Sequence, residues 1–277
     1  MWRDGVFSPV CGAFRWVWTV CRVCSKVVSF LFQPAVIFSG AAHLGPLRVS
    51  VYGVFAAVGL LAALGVGQWS AKLARLTAES IWDVGLFALT AAFVISRVML
   101  VVQDAHTFVL LPWVVLALPS FTYSGMALTA VAVVVYVWWK RLPVLAVMDA
   151  WAPGAALLAG ALSLGHYFEG TDAGMPTSLP WGVHAPGIGR VQPVQLYGLA
   201  GSVVLFAVLM GMLRRRLRPG VVAGVALVVG GVMAFLLAMM TQPVDWGGSA
   251  WLEPGQWIAI GAVVMGGLLL MRMKERA

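Results

Sequence analysis

The chain has 277 residues, of which 61% are hydrophobic and 10% charged, with a mean hydropathy of +0.94 and a formal net charge of +8. A soluble domain of this length cannot hide so much apolar surface, so composition excludes a water-soluble globular protein and predicts an all-α, polytopic membrane protein. The cations cluster at the ends of apolar runs rather than along one face, which is the pattern of topology determinants, and nucleic acid is not expected as a partner.

Residues 1–44 form a basic extension that carries Arg3, Arg15, Arg22 and Lys26, the tryptophans Trp16 and Trp18, and all three cysteines. Cys21 and Cys24 make a CxxC pair, but Ser25 follows where haem attachment needs histidine, and no second pair completes a zinc site. The cysteines read first as small apolar filler, with acylation or metal binding as lesser readings. An apolar stretch from Val27 to Leu44, interrupted by Pro34, is either an extra span or part of an interfacial helix. It starts late and lacks a small-x-small cleavage site, so no cleavable signal peptide is expected.

Seven apolar runs follow, at about 49–67, 81–102, 108–139, 145–165, 195–213, 220–240 and 255–271, each near the ~20 residues that cross hydrocarbon. The third is too long for one straight crossing. Pro112 and Pro119 divide it into an interfacial or re-entrant piece and a helix from about 122. Residues 45–277 are read as one transmembrane domain, with seven crossings plus whatever the extension adds.

If the spans alternate, Lys72, Arg75, Lys140, Arg141, Arg214, Arg215, Arg216, Arg218, Arg272, Lys274 and Arg276 all fall on one side. The positive-inside rule makes that side cytoplasmic, together with the C-terminus. The arginines at 214–218 also suit anionic lipid. The opposite loops then face outward, and the loop at 166–194 is the polar one. At and before it Ser163, His166, Glu169 and Asp172 interrupt an otherwise apolar chain at or near membrane depth, where polar groups are costly and usually have a task.

No Walker A loop, GxGxxG turn, HExxH helix or GxSxG elbow is present, so any catalysis must use these membrane-level polar groups. No metal or organic cofactor is indicated. A transporter would be expected to show an inverted repeat or charges at mid-membrane in both halves, and neither is visible.

A series of motifs does carry a resemblance. These are Leu44-Gly-Pro-Leu with Tyr52-Gly53, Ile81-Trp-Asp83 followed by Ser96-Arg97, Tyr123-Ser-Gly125, Met148-Asp149 with Pro153, Gly165 to Gly174, Pro176-Thr-Ser-Leu-Pro-Trp-Gly182, and Gln192-Pro-Val-Gln195-Leu-Tyr197. In that order and at those distances, from about residue 44 to Gln242-Pro243, the chain resembles prolipoprotein diacylglyceryl transferase. The run Pro-Thr-x-Leu-Pro-Trp-Gly followed by Pro-x-Gln-Leu-Tyr is the most specific part. The resemblance implies transfer of a diacylglyceryl group from phosphatidylglycerol, or another anionic phospholipid, to the thiol of a lipobox cysteine in a secreted precursor. It implies a place in the bacterial inner membrane, with the chemistry on its outer side and glycerol phosphate released there.

The sequence departs from the family pattern at several charged positions. The signature loop of the family opens with Gly-Arg, where this chain has Leu162-Ser163, and its Gly-Asn-Phe or Gly-Cys-Phe corresponds to Gly165-His166-Tyr167. An arginine and a glutamate on the sixth span align with Ala234 and Ala238. Gly198 stands where a glutamate follows the Gln-Leu-Tyr motif, and Tyr123 takes a place that is histidine in some members. These departures leave a second reading open, a non-catalytic relative that binds lipid or pigment as an accessory subunit of a membrane complex, with the N-terminal extension as the surface offered to a partner.

Under the transferase reading, His166, Glu169 and Tyr123 are the catalytic candidates, and Arg97, Arg190, Tyr52, Gln195 and Tyr197 the substrate-binding ones. His166 and Glu169 stand three apart and would share a helical face, so the carboxylate could orient the imidazole as a base, against the bland reading of a solvated loop. Arg97 is either a structural ion pair with Asp83 or Asp149 or a phosphate ligand. Arg190 is either headgroup attraction or plain surface charge. Tyr52 and Tyr197 also fit an aromatic belt, and Gln195 also fits a role in holding the loop to a helix end.

Overall fold

The computed structural model describes residues 41–44, 47–103, 122–185, 189–215, 217–242 and 252–275. It opens with an antiparallel hairpin of β1 (Ala41–Leu44) and β2 (Leu47–Ser50), in register Ala41↔Ser50 to Leu44↔Leu47. Seven helices follow: α1 (Val51–Leu73), α2 (Ala78–Gln103), α3 (Tyr123–Trp139), α4 (Val144–Glu169), α5 (Val194–Arg214), α6 (Val221–Met240) and α7 (Pro254–Glu275). A second small hairpin, β3 (Val183–Ala185) and β4 (Gly189–Val191), lies between α4 and α5.

Six of the helices are long and apolar enough to cross a membrane, and α3 is a shorter apolar helix of 17 residues. The expected spans are recovered in order, and the third helix starts at Tyr123 with Thr122 as its cap, where a start at about 122 was expected. The re-entrant piece between residues 104 and 121 and the N-terminal extension up to residue 40 lie outside the described residues. One boundary moves: the fourth span runs to Glu169, so Ser163, His166 and Glu169 belong to the last turns of α4 and the loop begins at Gly170. The helix stops there because Gly170 adopts φ +74° and its N–H donates to the His166 carbonyl at 3.0 Å.

Helix α4 is the hub. It packs along α1 on one flank and α5 on the other, and the bundle continues through α6 to α7 on the α5 side and through α2 to α3 on the α1 side. Without a hydrophobic force between helices in lipid, such packing relies on small residues that let backbones approach. A Cβ on Gly154 would stand 2.9 Å from the Ala63 carbonyl of α1, and one on Gly266 of α7 would stand 2.8 Å from the Gly224 carbonyl of α6. Outward-facing Leu61, Val98, Val131, Trp138 and Leu268 remain exposed, as side chains that meet acyl chains should.

The basic residues gather at one end of the bundle. Arg214 lies over the Trp69 ring at 5.3 Å, Lys140 over Tyr136 at 5.6 Å, and Arg218 donates to the Met273 carbonyl at 3.5 Å. At the same end the buried carboxylate of Asp149 on α4 accepts from the Gly220 N–H at 2.6 Å and the Ala223 N–H at 2.7 Å. It thus caps α6 from across the bundle, satisfying two amides that no residue of α6 can reach.

This overturns the expectation that Arg97 pairs with Asp83 or Asp149. Both Asp149 oxygens are engaged by the start of α6, and Asp83 and Arg97 lie on the same helix fourteen residues apart, roughly 21 Å along its axis. The Arg97 guanidinium instead stacks over the Phe93 ring at 5.2 Å.

Replacing Asp149 by Asn keeps one acceptor but turns an amide N–H toward a backbone donor. The variant is expected to lose about 2–4 kcal/mol of stability, because a buried charged hydrogen bond is lost and a donor is orphaned. Thermal unfolding of the purified protein in detergent checks this, with the loss expected also in Asp149→Ala.

Candidate functional site

The polar residues singled out in sequence meet at the far end of the bundle, opposite the basic end. Helix α1 starts there, with Ser50 as its cap: the Ser50 Oγ accepts from the Gly53 N–H at 3.3 Å and donates to Glu169 Oε1 at 3.4 Å. The next turn of α4 carries His166, whose ring lies 4.5 Å from the Tyr52 ring, tilted by 51°. Gly165 makes this approach possible, since a Cβ there would stand 3.1 Å from the Tyr52 ring and 3.2 Å from Phe55.

Glu169 is therefore not the group that orients the imidazole, although the helical spacing allowed it. His166 Nδ1 meets Thr171 Oγ1 at 2.7 Å and Asp172 Oδ2 at 3.4 Å. Both partners come from the chain just past the Gly170 cap, where Asp172 itself adopts φ +54° and folds back over the last turn. Sequence reasoning noted Asp172 without giving it a role and passed over Thr171; the signal available was the glycine that ends the helix between His166 and these residues. In the tautomer whose Nδ1–H donates to this pair, Nε2 is the acceptor. The His166 side chain is 34% exposed and that of Asp172 60%, so the contact fixes geometry more than it contributes stability.

Gln195, in the first turn of α5, fastens this arrangement. Its Nε2 donates to the carbonyls of Thr171 at 2.7 Å and Asp172 at 2.6 Å. The rest of the loop is pinned to α5 and α6. Gln242 N–H donates to the Ala173 carbonyl at 3.0 Å, Met175 N–H to the Met240 carbonyl at 2.9 Å, and Gln192 N–H to the Met175 carbonyl at 3.0 Å. Pro180 occupies the second position of a turn closed by the Gly182 N–H on the Leu179 carbonyl at 3.0 Å. That turn presents Trp181, whose Nε1 donates to the Tyr197 hydroxyl at 2.7 Å.

The other candidates lie apart from this cluster. Tyr123 opens α3 with its hydroxyl toward the start of α7, where a Cβ on Gly255 would meet it at 3.9 Å. Arg190 is exposed on β4, cross-strand from His184. Arg97 is half-buried on α2. No grouping of three or more metal-ligating side chains occurs among the described residues.

Beneath the His166 cluster, α4, α5 and α6 enclose a cavity of about 520 Å³, and Ser163, Gly198 and Ala234 line its upper part. Two buried polar atoms on its wall, Ser202 Oγ and Trp151 Nε1, have no hydrogen-bond partner.

The family described as prolipoprotein diacylglyceryl transferase matches residues 39–272. The chain belongs to this family. It is similar to proteins named phosphatidylglycerol–prolipoprotein diacylglyceryl transferase from Cupriavidus metallidurans, at 27% identity over 83% of this chain and 91% of the relative, and from Bordetella bronchiseptica, at 28% over 82% and 91%. The relative from Coxiella burnetii shares 27% identity over 85% of this chain and 96% of its own length. Within the transferase family pattern, three of the departures noted in sequence, Ser163, Gly198 and Ala234, prove to share one wall-lined space. None of the residues that line this cavity is charged.

Replacing Gln195 by Leu removes both bonds that hold Thr171 and Asp172. Backbone amides of residues 171–175 are expected to exchange with deuterium about tenfold faster, as loss of roughly 1.4 kcal/mol of local restraint implies. Amides in the middle of α4 should be unchanged.

Proposed function

We propose that this chain is a working transferase of the family, moving diacylglyceryl from phosphatidylglycerol to the thiol of a precursor cysteine at the outer face of the bacterial inner membrane. The basic end faces the cytoplasm with the C-terminus, by the excess of lysine and arginine there, and the His166 cluster faces outward. The observation that carries the reading is an imidazole held by Thr171 and Asp172, one helical turn above Ser163, the last α4 residue that lines the cavity between α4, α5 and α6. Ligand cavities typically measure about 300–1,000 Å³, and this one lies within that range.

In this assignment His166 Nε2 takes the thiol proton. The sulfur attacks the glyceryl carbon that bears the phosphate, the carbon–oxygen bond breaks with its electron pair leaving on phosphate, and glycerol phosphate departs. Protonated His166 then gives its proton to solvent or to the leaving group. Asp172 and Thr171 are positioning residues for the imidazole. Glu169 holds the start of α1 through Ser50 and acts on the site indirectly. Phosphate contact falls to Arg97 and Arg190, a guanidinium fork being suited to two phosphate oxygens. Tyr52, Tyr123 and Tyr197 supply hydroxyl groups at the same end of the bundle.

The test is rescue of a strain depleted of its own transferase, with insertion of the chain confirmed, and transfer measured on membranes. Wild type is expected to rescue. His166→Ala should lower transfer by about 10²–10⁴-fold, the usual worth of a general base. Asp172→Asn should lower kcat with little change in KM, and Asp172→Glu should recover part of it. Glu169→Gln should cost much less than His166→Ala. A well-inserted wild-type chain that neither rescues nor modifies precursor would overturn the reading in favour of a fold kept for binding.

A further inference from the structure

A second cavity, of about 250 Å³, opens at the basic end of the bundle, away from the His166 cluster. Leu73 and Arg75 border it from the end of α1, Asp149 from α4, and Leu213, Arg218 and Val222 from the end of α5, the turn after it and the start of α6. Leu213, Val222 and Asp149 are buried and form its inner wall, whereas Arg75 and Arg218 are exposed and stand at the rim. The volume holds roughly eight waters at ~30 Å³ each, which is room for a phosphate group and a few carbons rather than for an acyl chain.

The charges around this cavity are unequally matched. Asp149 needs no cation, because both its oxygens accept from the first amides of α6. The two guanidinium groups keep almost all their donors: Arg218 gives one long bond, 3.5 Å, to the Met273 carbonyl, and the Arg75 side chain makes no hydrogen bond or ion pair among the described residues. Two planar forks with spare donors at the mouth of a pocket match the oxygens of a phosphate. Arg141 provides the comparison. Arg75 ends α1 with φ +59° and the Leu76 N–H on the Ala71 carbonyl at 2.8 Å, and Arg141 ends α3 with φ +56° and the Leu142 N–H on the Val137 carbonyl at 3.0 Å. Only Arg75 borders the cavity. A role as plain charge at this end asks the same of both arginines, whereas a binding pocket asks it of Arg75 alone. Both stand where a helix usually ends on glycine, so glycine can replace either without disturbing the turn.

We propose that this cavity is a binding site for a phosphate-bearing anion, supplied either by the headgroup of a lipid in the leaflet at the basic end or by a soluble phosphate ester in the water on that side. Arg75 and Arg218 clamp the phosphate oxygens at the rim, and the remainder of the ligand lies against Leu73, Leu213 and Val222. The Asp149 carboxylate on the inner wall repels a second negative group, so the ligand carries its negative charge at the phosphate alone. The site is at the opposite end of the bundle from His166 and does not depend on the transferase reading.

The full chain, delipidated in a maltoside detergent, is treated with phenylglyoxal, which modifies accessible guanidinium groups, and the adducts are quantified residue by residue by mass spectrometry. One arm adds inorganic phosphate to the solution, and the other adds phosphatidic acid to the micelles with no free phosphate. Arg75 and Arg218 are expected to be protected several-fold in at least one arm, while the exposed Arg141 and Arg272 react as before. Protection by phosphatidic acid alone assigns the site to a lipid headgroup, and protection by inorganic phosphate assigns it to a phosphate free in water. Arg75→Gly should abolish the protection of Arg218 without lowering the unfolding midpoint, and Arg141→Gly should leave that protection intact. Equal protection of all four arginines, no protection of Arg75 and Arg218 in either arm, or protection of Arg218 that survives Arg75→Gly would overturn the proposal.

Discussion

The position of α6 in the bundle depends on one buried carboxylate at the basic end. Asp149 sits at 4% exposure on the helix that packs against α1, α5 and α6, where an uncompensated charge would be severely destabilising. Its two oxygens are matched by the first amides of α6, so the penalty of burying the charge and the penalty of leaving helix amides unmet cancel each other. The contact fixes the axial register of α6 against α4. Because α6 ends at Met240 and Gln242, whose backbone groups hold Met175 and Ala173, that register also sets where the outer loop can lie.

The loop in turn sets the imidazole. Thr171 and Asp172 reach His166 because Gly170 reverses the chain and because Gln195 of α5 grips their carbonyls. The Trp181 contact with Tyr197 and the Gln242 contact with Gly174 hold the loop further along. Each of these bonds is weak alone, but they run to α4, α5 and α6 separately, and relative motion of those helices would break several at once. A site on a loop acquires the rigidity of the bundle by this means.

The spans were legible because apolar length and terminal charge are written directly in the residues: a helix start near residue 122 was expected after Pro112 and Pro119, and the basic end from the arginines and lysines. The site was legible in part. His166, Tyr52 and Gln195 could be singled out because polar groups are rare in this chain, yet their partners could not be assigned. Helical spacing favoured Glu169 for His166, and only the left-handed backbone at Gly170 and Asp172 gives the contact to the loop instead. Likewise Asp149 looked like an ion-pair partner for Arg97, since a sequence displays charges but not the backbone amides that can neutralise them. Ser202 gave no sequence signal at all, because a serine on an apolar helix becomes informative only when its hydroxyl is seen to lack a partner.

Two of the uncharged positions that line the cavity constrain each other sterically. Ser163 and Gly198 are in direct apposition: a Cβ on Gly198 would stand 2.9 Å from Ser163 Oγ and 3.4 Å from Leu237. A long charged side chain at Gly198 would therefore have to displace Ser163 and Leu237. It would also find no counter-charge among the residues that line the cavity, and an unpaired buried charge is strongly destabilising. Under the transferase reading proposed above, the same reasoning puts phosphate contact on residues outside the cavity. Arg190 is exposed on its hairpin, and Arg97 stands on a helix removed from α5 and α6. These two arginines and the apolar cavity thus belong to different parts of the molecule.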